Sequence, residues 1–155
     1  MPYHLAGGAL HFLLGYSVFS AIGWKAVMLS SFLTLVFTAG HATQEVQDYE
    51  EDRLNGIRTN AVVFGKTAVF IAAFVGFVFA YGDLAWLSLC GVLPSSLWLM
   101  AVILFPFHCY WSLNTWRAGL CPNDVRRLRN RYRVLFLLIG IAIASGSIWN
   151  SSIQP

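Results

Sequence analysis

Charge is what this chain has least of: 11% of its residues are Asp, Glu, Lys or Arg, against roughly 25% in soluble domains. None falls from Met1 to Trp24, from Ala26 to Gln44, from Thr67 to Gly82, from Leu84 to Trp116 or from Val134 to Pro155. Apolar runs of this length exclude a soluble globular class, because a bilayer-spanning helix needs about 20 such residues. They do not alternate polar with apolar, as barrel strands must; AVFIAAFVGFVFAYG is an example. The sequence therefore predicts an all-α membrane protein with five transmembrane helices, near 5–22, 26–43, 64–82, 85–106 and 133–150. Lys66 snorkels at the end of the third.

Cysteine is also scarce. Cys90, Cys109 and Cys121 are odd in number and lack metal spacing, which excludes a disulfide framework and a zinc site and leaves them as core or interface fillers. The first apolar run has no basic n-region and no short apolar segment followed by a small-residue cleavage site, so it reads as a mature helix. Internal repeats, linkers and low-complexity segments are absent from the sequence, which reads as one domain or part of one.

The few charges are unevenly placed. Arg53, Arg58 and Lys66 follow the second span, and Arg117, Arg126, Arg127, Arg129, Arg131 and Arg133 follow the fourth. The other connections hold only Lys25 and Asp83. The positive-inside rule places the Asp48–Asp52 loop and a 107–132 loop in the cytoplasm, with the C-terminus outside. The run RRLRNRYR reads as a topology determinant against anionic headgroups, or as a surface attracting an anionic substrate, rather than as a nucleic-acid patch. Tyr110, Trp111 and Trp116 read as an interfacial aromatic belt.

Asp48, Glu50, Glu51 and Asp52 concentrate negative charge in one short stretch. On a continuing helix, Asp48 and Asp52 share a face. Their repulsion becomes attraction when a divalent cation sits between them. Mg2+ takes one or two carboxylates plus waters and substrate phosphates, so the pair suits a diphosphate-bound metal. Gly56 permits a turn with positive φ or a close backbone approach to a ligand. Arg58 and Lys66, and more weakly Arg53, are placed to neutralise phosphate oxygens; Glu51 is a candidate for water-mediated metal contact. The competing reading is a solvated loop whose charges keep it out of the bilayer.

The series D-x-x-x-D-x-x-x-G-x-x-T, present as Asp48, Asp52, Gly56 and Thr59 just after a span, resembles the second aspartate-rich motif of the UbiA superfamily of intramembrane prenyltransferases. LHFLLGY, from Leu10 to Tyr16, resembles that family's helix two spans upstream. The resemblance implies a chain matching the C-terminal half of a nine-helix bundle, helices five to nine. It also implies Mg2+ held by the catalytic residues Asp48 and Asp52, a prenyl diphosphate donor, and an aromatic or other lipophilic acceptor in the membrane. The family's first motif, N-D-x-x-D-x-x-x-D, has no counterpart, since the first acidic residue is Glu45. The chain is accordingly expected to be a fragment, to assemble with a separate N-terminal half or as a homo-oligomer, or to be a catalytically silent membrane scaffold. A small ion-conducting oligomer using the acids as a selectivity ring is a third reading.

Other polar residues belong to the same search, because intramembrane ionisable groups default to functional hypotheses. His4 and His11 share a face of the first span and are candidates to orient an acceptor. His41 and Glu45 form an i, i+4 pair, read first as a hydrogen-bonded helix end and second as part of the polar pocket. Gln44 and Gln47 are candidates to bind water or phosphate, and Asn114 to be a cap or a ligand. Phe70, Phe74, Phe77 and Phe79 are packing or lipid-facing residues, some of them able to stabilise an allylic cation.

Overall fold

The computed structural model describes the backbone of residues 2–151 and the side chains of residues 6–145. All regular structure among them is helical: α1 (Pro2–Ser17), α2 (Trp24–Gln47), α3 (Tyr49–Leu54), α4 (Asn60–Phe64), α5 (Lys66–Leu89), α6 (Leu97–Arg117) and α7 (Pro122–Ser151). Among the described residues, α2, α5 and α6 are long and apolar enough to cross a membrane. Their outer faces stay greasy: Phe79, Trp86, Val102 and Ile103 are all exposed, a surface that water does not tolerate in a monomer.

Helix α2 sits at the centre, packed against α1, α5 and α7. It achieves this with small residues, Ala39, Ala42 and Thr43, which are buried and let neighbouring backbones approach. A Cβ on Gly76 of α5 would stand 3.2 Å from Ala39 Cβ, so a side chain there would press the two helices apart by a few tenths of an ångström. One core cluster gathers Val46, Ala61, Phe70 and Leu128 at the end of the bundle where α2 finishes. The other, around Phe32, Leu84, Leu97 and Ile139, fills the opposite end.

Several predicted boundaries shift. The first two spans, expected near 5–22 and 26–43, are helices over 2–17 and 24–47. The third, expected near 64–82, runs to Leu89 as α5, so Asp83 belongs to a helix and not to a connection. There it is half-buried and accepts a 2.6 Å hydrogen bond from Ser31 Oγ of α2. The fourth, expected at 85–106, is corrected to 97–117. The chain turns at 90–96, where Ser88 Oγ donates to Pro94 O at 2.7 Å and accepts from Trp98 N at 3.2 Å.

The 107–132 loop is likewise corrected. Its first part is the end of α6 and its last part the start of α7, so only 118–121 connects them. Helix α7 begins at Pro122, whose missing N–H costs nothing at a first helical position. Asp124 lies in the first turn, where its charge complements the helix dipole. Along it Val125, Leu128, Arg129, Tyr132, Leu135 and Ile139 are buried, the i, i+3, i+4, i+7 spacing of an amphipathic helix. Of RRLRNRYR, Arg126, Arg127, Asn130, Arg131 and Arg133 are the exposed, polar side of that helix. The belt residues Tyr110, Trp111 and Trp116 also lie on α6 itself.

Candidate functional site

The acidic motif is a sequence of helix punctuation. Helix α2 stops at Gln47, and Asp48 (φ −90°, ψ 3°) joins it to α3, so the two aspartates do not share one uninterrupted helix as predicted. They nevertheless keep helical spacing, because Asp52 N donates to Asp48 O at 2.9 Å. Helix α3 ends in a Schellman turn: Ile57 N donates to Asp52 O at 2.8 Å, Gly56 N to Arg53 O at 3.4 Å, and Gly56 takes φ +69°. That is the left-handed geometry in which glycine is favoured. Three residues on, Thr59 caps α4 by accepting from Val62 N at 3.4 Å. The D-x-x-x-D-x-x-x-G-x-x-T spacing thus records where one helix starts, where it ends, and where the next begins.

Around this turn the polar groups divide into two sets. Glu45 binds the start of α4, its Oε1 accepting from Asn60 Nδ2 at 2.8 Å and its Oε2 from Ala61 N at 3.3 Å, which bears out the helix-end reading. Lys66 Nζ lies 3.8 Å from Glu50 Oε1 and over the Tyr49 ring; it opens α5 and ties it to α3. Arg53, Arg58 and Glu51 are exposed, and Asp48 and Asp52 half-buried. The carboxylates remain accessible while the loop is held by its caps.

The second set crosses to α7. Arg129, 8% exposed, donates from Nη1 to Gln47 Oε1 at 2.7 Å and from Nη2 to Gln44 Oε1 at 3.0 Å. Gln47 Nε2 donates in turn to Asp48 Oδ1 at 2.8 Å. The two glutamines read as water or phosphate ligands therefore hold a buried guanidinium. The acidic motif and the arginine-rich helix stand at the same end of the bundle, as the charge pattern requires. Arg129 itself was hidden in RRLRNRYR; the buried Val125, Leu128 and Tyr132 around it are the signal that puts position 129 on the inner face.

A second residue outside the sequence reading is His108 of α6, 1% exposed. Its Nδ1 lies 3.4 Å from Tyr81 Oη, its ring stacks on Tyr132 at 5.6 Å, and Phe77 is 4.5 Å away. Of the four phenylalanines singled out, Phe70 and Phe77 are buried and Phe79 is exposed, while Phe70 and Phe74 line an apolar cavity of about 280 Å³ with Cys109. Cys90 and Cys121 are free and exposed rather than core fillers. His11 is exposed and bonded to Gly7 O of its own helix at 2.7 Å, and the side chain of His4 lies outside the described residues. Asn114 is exposed near the end of α6, its carbonyl accepting from Ala118 N at 3.0 Å.

Two half-buried carboxylates one helical turn apart supply the hard oxygen donors that Mg2+ takes when waters and phosphate complete its shell. Among the described residues, no group of three or more His, Cys, Asp or Glu is placed to hold a metal ion. Comparison with protein families matches residues 3–137 to the UbiA prenyltransferase family. No curated protein and no solved structure matches the chain.

Proposed function

Because the chain belongs to the UbiA prenyltransferase family, we propose that it takes part in transfer of an isoprenyl group from a prenyl diphosphate to a lipophilic acceptor, aromatic or otherwise, inside the membrane. Asp48 and Asp52 hold Mg2+ at the mouth of the bundle. The bound cation supplies charge withdrawal from the diphosphate as it leaves. The loop cations Arg58 and Arg53, with Lys66 at the start of α5, neutralise the phosphate oxygens. The Schellman turn at Gly56 and the cap at Thr59 keep the aspartates in place without ligand. Pre-set charges of this kind act where charge develops in the transition state.

In this reading α1, α2, α5, α6 and α7 are five spans corresponding to helices five to nine of the family bundle. The motif end faces the cytoplasm. The observation that carries the proposal is the D-x-x-x-D-x-x-x-G-x-x-T series folded into a capped turn beside an arginine-bearing helix.

The test is Mg2+-dependent binding of geranyl diphosphate to the purified chain, and to Asp48→Asn and Asp52→Asn variants. A component of binding that appears only with Mg2+, above any binding in EDTA, and falls at least tenfold in either variant supports the site. A Mg2+-dependent component that is equal in all three, or absent from all, leaves the chain as a silent scaffold.

A further inference from the structure

Between α2 and α7, alongside the acidic turn, lies a cavity of about 220 Å³ lined by Val36, Phe37, Gln44, Arg129, Tyr132 and Arg133. Its lining combines the apolar Val36 and Phe37 with polar side chains, Arg129 buried and Arg133 exposed. We infer that this cleft is a binding site for the phosphate group of a phosphorylated amphiphile, held by Arg129 and Arg133 without a metal.

Arg129 carries the inference. It is 8% exposed, yet its partners are neutral: two amide oxygens and the neighbouring Tyr132 hydroxyl. Its Nε is buried with no hydrogen-bond partner, and among the described residues no carboxylate lies within salt-bridge distance. Asp48, the carboxylate joined to this network, stands one amide away through Gln47. Removing a charge from water costs several kcal/mol unless an opposite charge and full hydrogen bonding repay it. A guanidinium so placed suits an anionic ligand. Arg133, one helical turn further along α7, is exposed and lines the same cleft, so both cations converge on one opening. Paired guanidinium forks match the oxygens of phosphate.

Shape gives the rest of the ligand. Sites for whole drug-sized molecules measure roughly 300–1,000 Å³, so this smaller cleft takes a headgroup and the beginning of its tail. Val36 and Phe37 lie two helical turns from Gln44 along α2, where the first apolar carbons would rest. The phosphate can come from an isoprenyl diphosphate or from an anionic phospholipid; the cationic end reads the chemistry that they share.

The experiment is run in EDTA, which separates this site from the metal reading. The purified full chain in neutral maltoside micelles is titrated with geranyl diphosphate and, separately, with phosphatidic acid, with geraniol as the phosphate-free control. The variants are Arg133→Gln, at an exposed position, and Arg129→Lys, which keeps the charge but loses the fork; thermal unfolding checks that each is folded. Binding of either anion to the wild type, no binding of geraniol, and a loss of roughly tenfold or more in both variants support the proposal. The anion that binds identifies the source. Unchanged affinity in folded Arg133→Gln and Arg129→Lys, or no binding of either anion to the wild type, overturns it, whatever the outcome in Mg2+.

Discussion

Arg129 of α7 and Asp48 at the end of α2 are joined through a single side chain. Gln47 accepts from the guanidinium at 2.7 Å and donates to the carboxylate at 2.8 Å. Each of the amide's two ends is thereby fixed by a charge, and the acidic turn is linked to a helix that begins more than seventy residues later. Replacing Gln47 by Leu removes both bonds and leaves Arg129 with Gln44 and the Tyr132 hydroxyl. Hydrogen bonds to charged groups contribute about 1.5–3 kcal/mol, so Gln47→Leu should lower unfolding free energy in detergent by an amount in that range. Stability equal to wild type would show that the bridge does not join α2 to α7.

Glu45 makes a different contact at the other side of the same turn. Its two oxygens hold Asn60 and the Ala61 amide, so Glu45→Ala should release the start of α4. Hydrogen exchange at Ala61 is predicted to accelerate roughly tenfold, with exchange in the middle of α5 unchanged. Uniform acceleration along the chain would mean global destabilisation and not loss of a cap.

Gly56 is tested by its backbone. A Cβ there would meet nothing within 4 Å, so the cost of Gly56→Ala comes from φ +69° and not from a clash. Left-handed geometry costs an L-residue roughly 1–2 kcal/mol, and Gly56→Asn, which tolerates it better, should recover much of the loss. Equal thermal unfolding of the Ala and Asn variants would remove the turn from the explanation of the motif.

The free cysteines report topology. Cys90 closes α5 at one end of the bundle and Cys121 precedes α7 at the other, and both are exposed. In sealed vesicles, a membrane-impermeant maleimide should reach single-cysteine proteins retaining Cys90 and Cys121 from opposite sides, with Cys121 on the cytoplasmic side by the charge rule. Labelling of both from one side would contradict a bundle that spans the bilayer.

The helical class and the acidic turn were legible because each rests on a local pattern: long uncharged runs, and a D-x-x-x-D-x-x-x-G-x-x-T series whose glycine and threonine are helix punctuation. The limits of α6 were not. GVLPSS carries Gly and Pro signals, but the residues around it are as apolar as the spans they separate, so a hydropathy reading runs through the turn. The start of α7 was hidden for the opposite reason, since five arginines between 126 and 133 outweigh Val125, Leu128 and Tyr132 in composition while leaving their spacing intact. His108 was missed although it lies in an uncharged run where an imidazole is unusual; its burial depends on Tyr81, Tyr132 and Phe77 from two other helices, which no local window contains.

The length of α2 has a further consequence. Its 24 residues extend roughly 36 Å at 1.5 Å per residue, and a bilayer's hydrocarbon is about 30 Å thick. Trp24 and Lys25, stacked at its beginning, are interface formers, so about one turn emerges at the far end. That turn is Gln44 to Gln47. On the proposed function, the cationic cleft and the aspartates would stand near the depth of the lipid phosphates, and a ligand with a membrane-dissolved tail would reach them by sliding within one leaflet. Occupancy of the proposed sites would then follow how crowded that leaflet is with ligand, and hardly at all how much ligand dissolves in water.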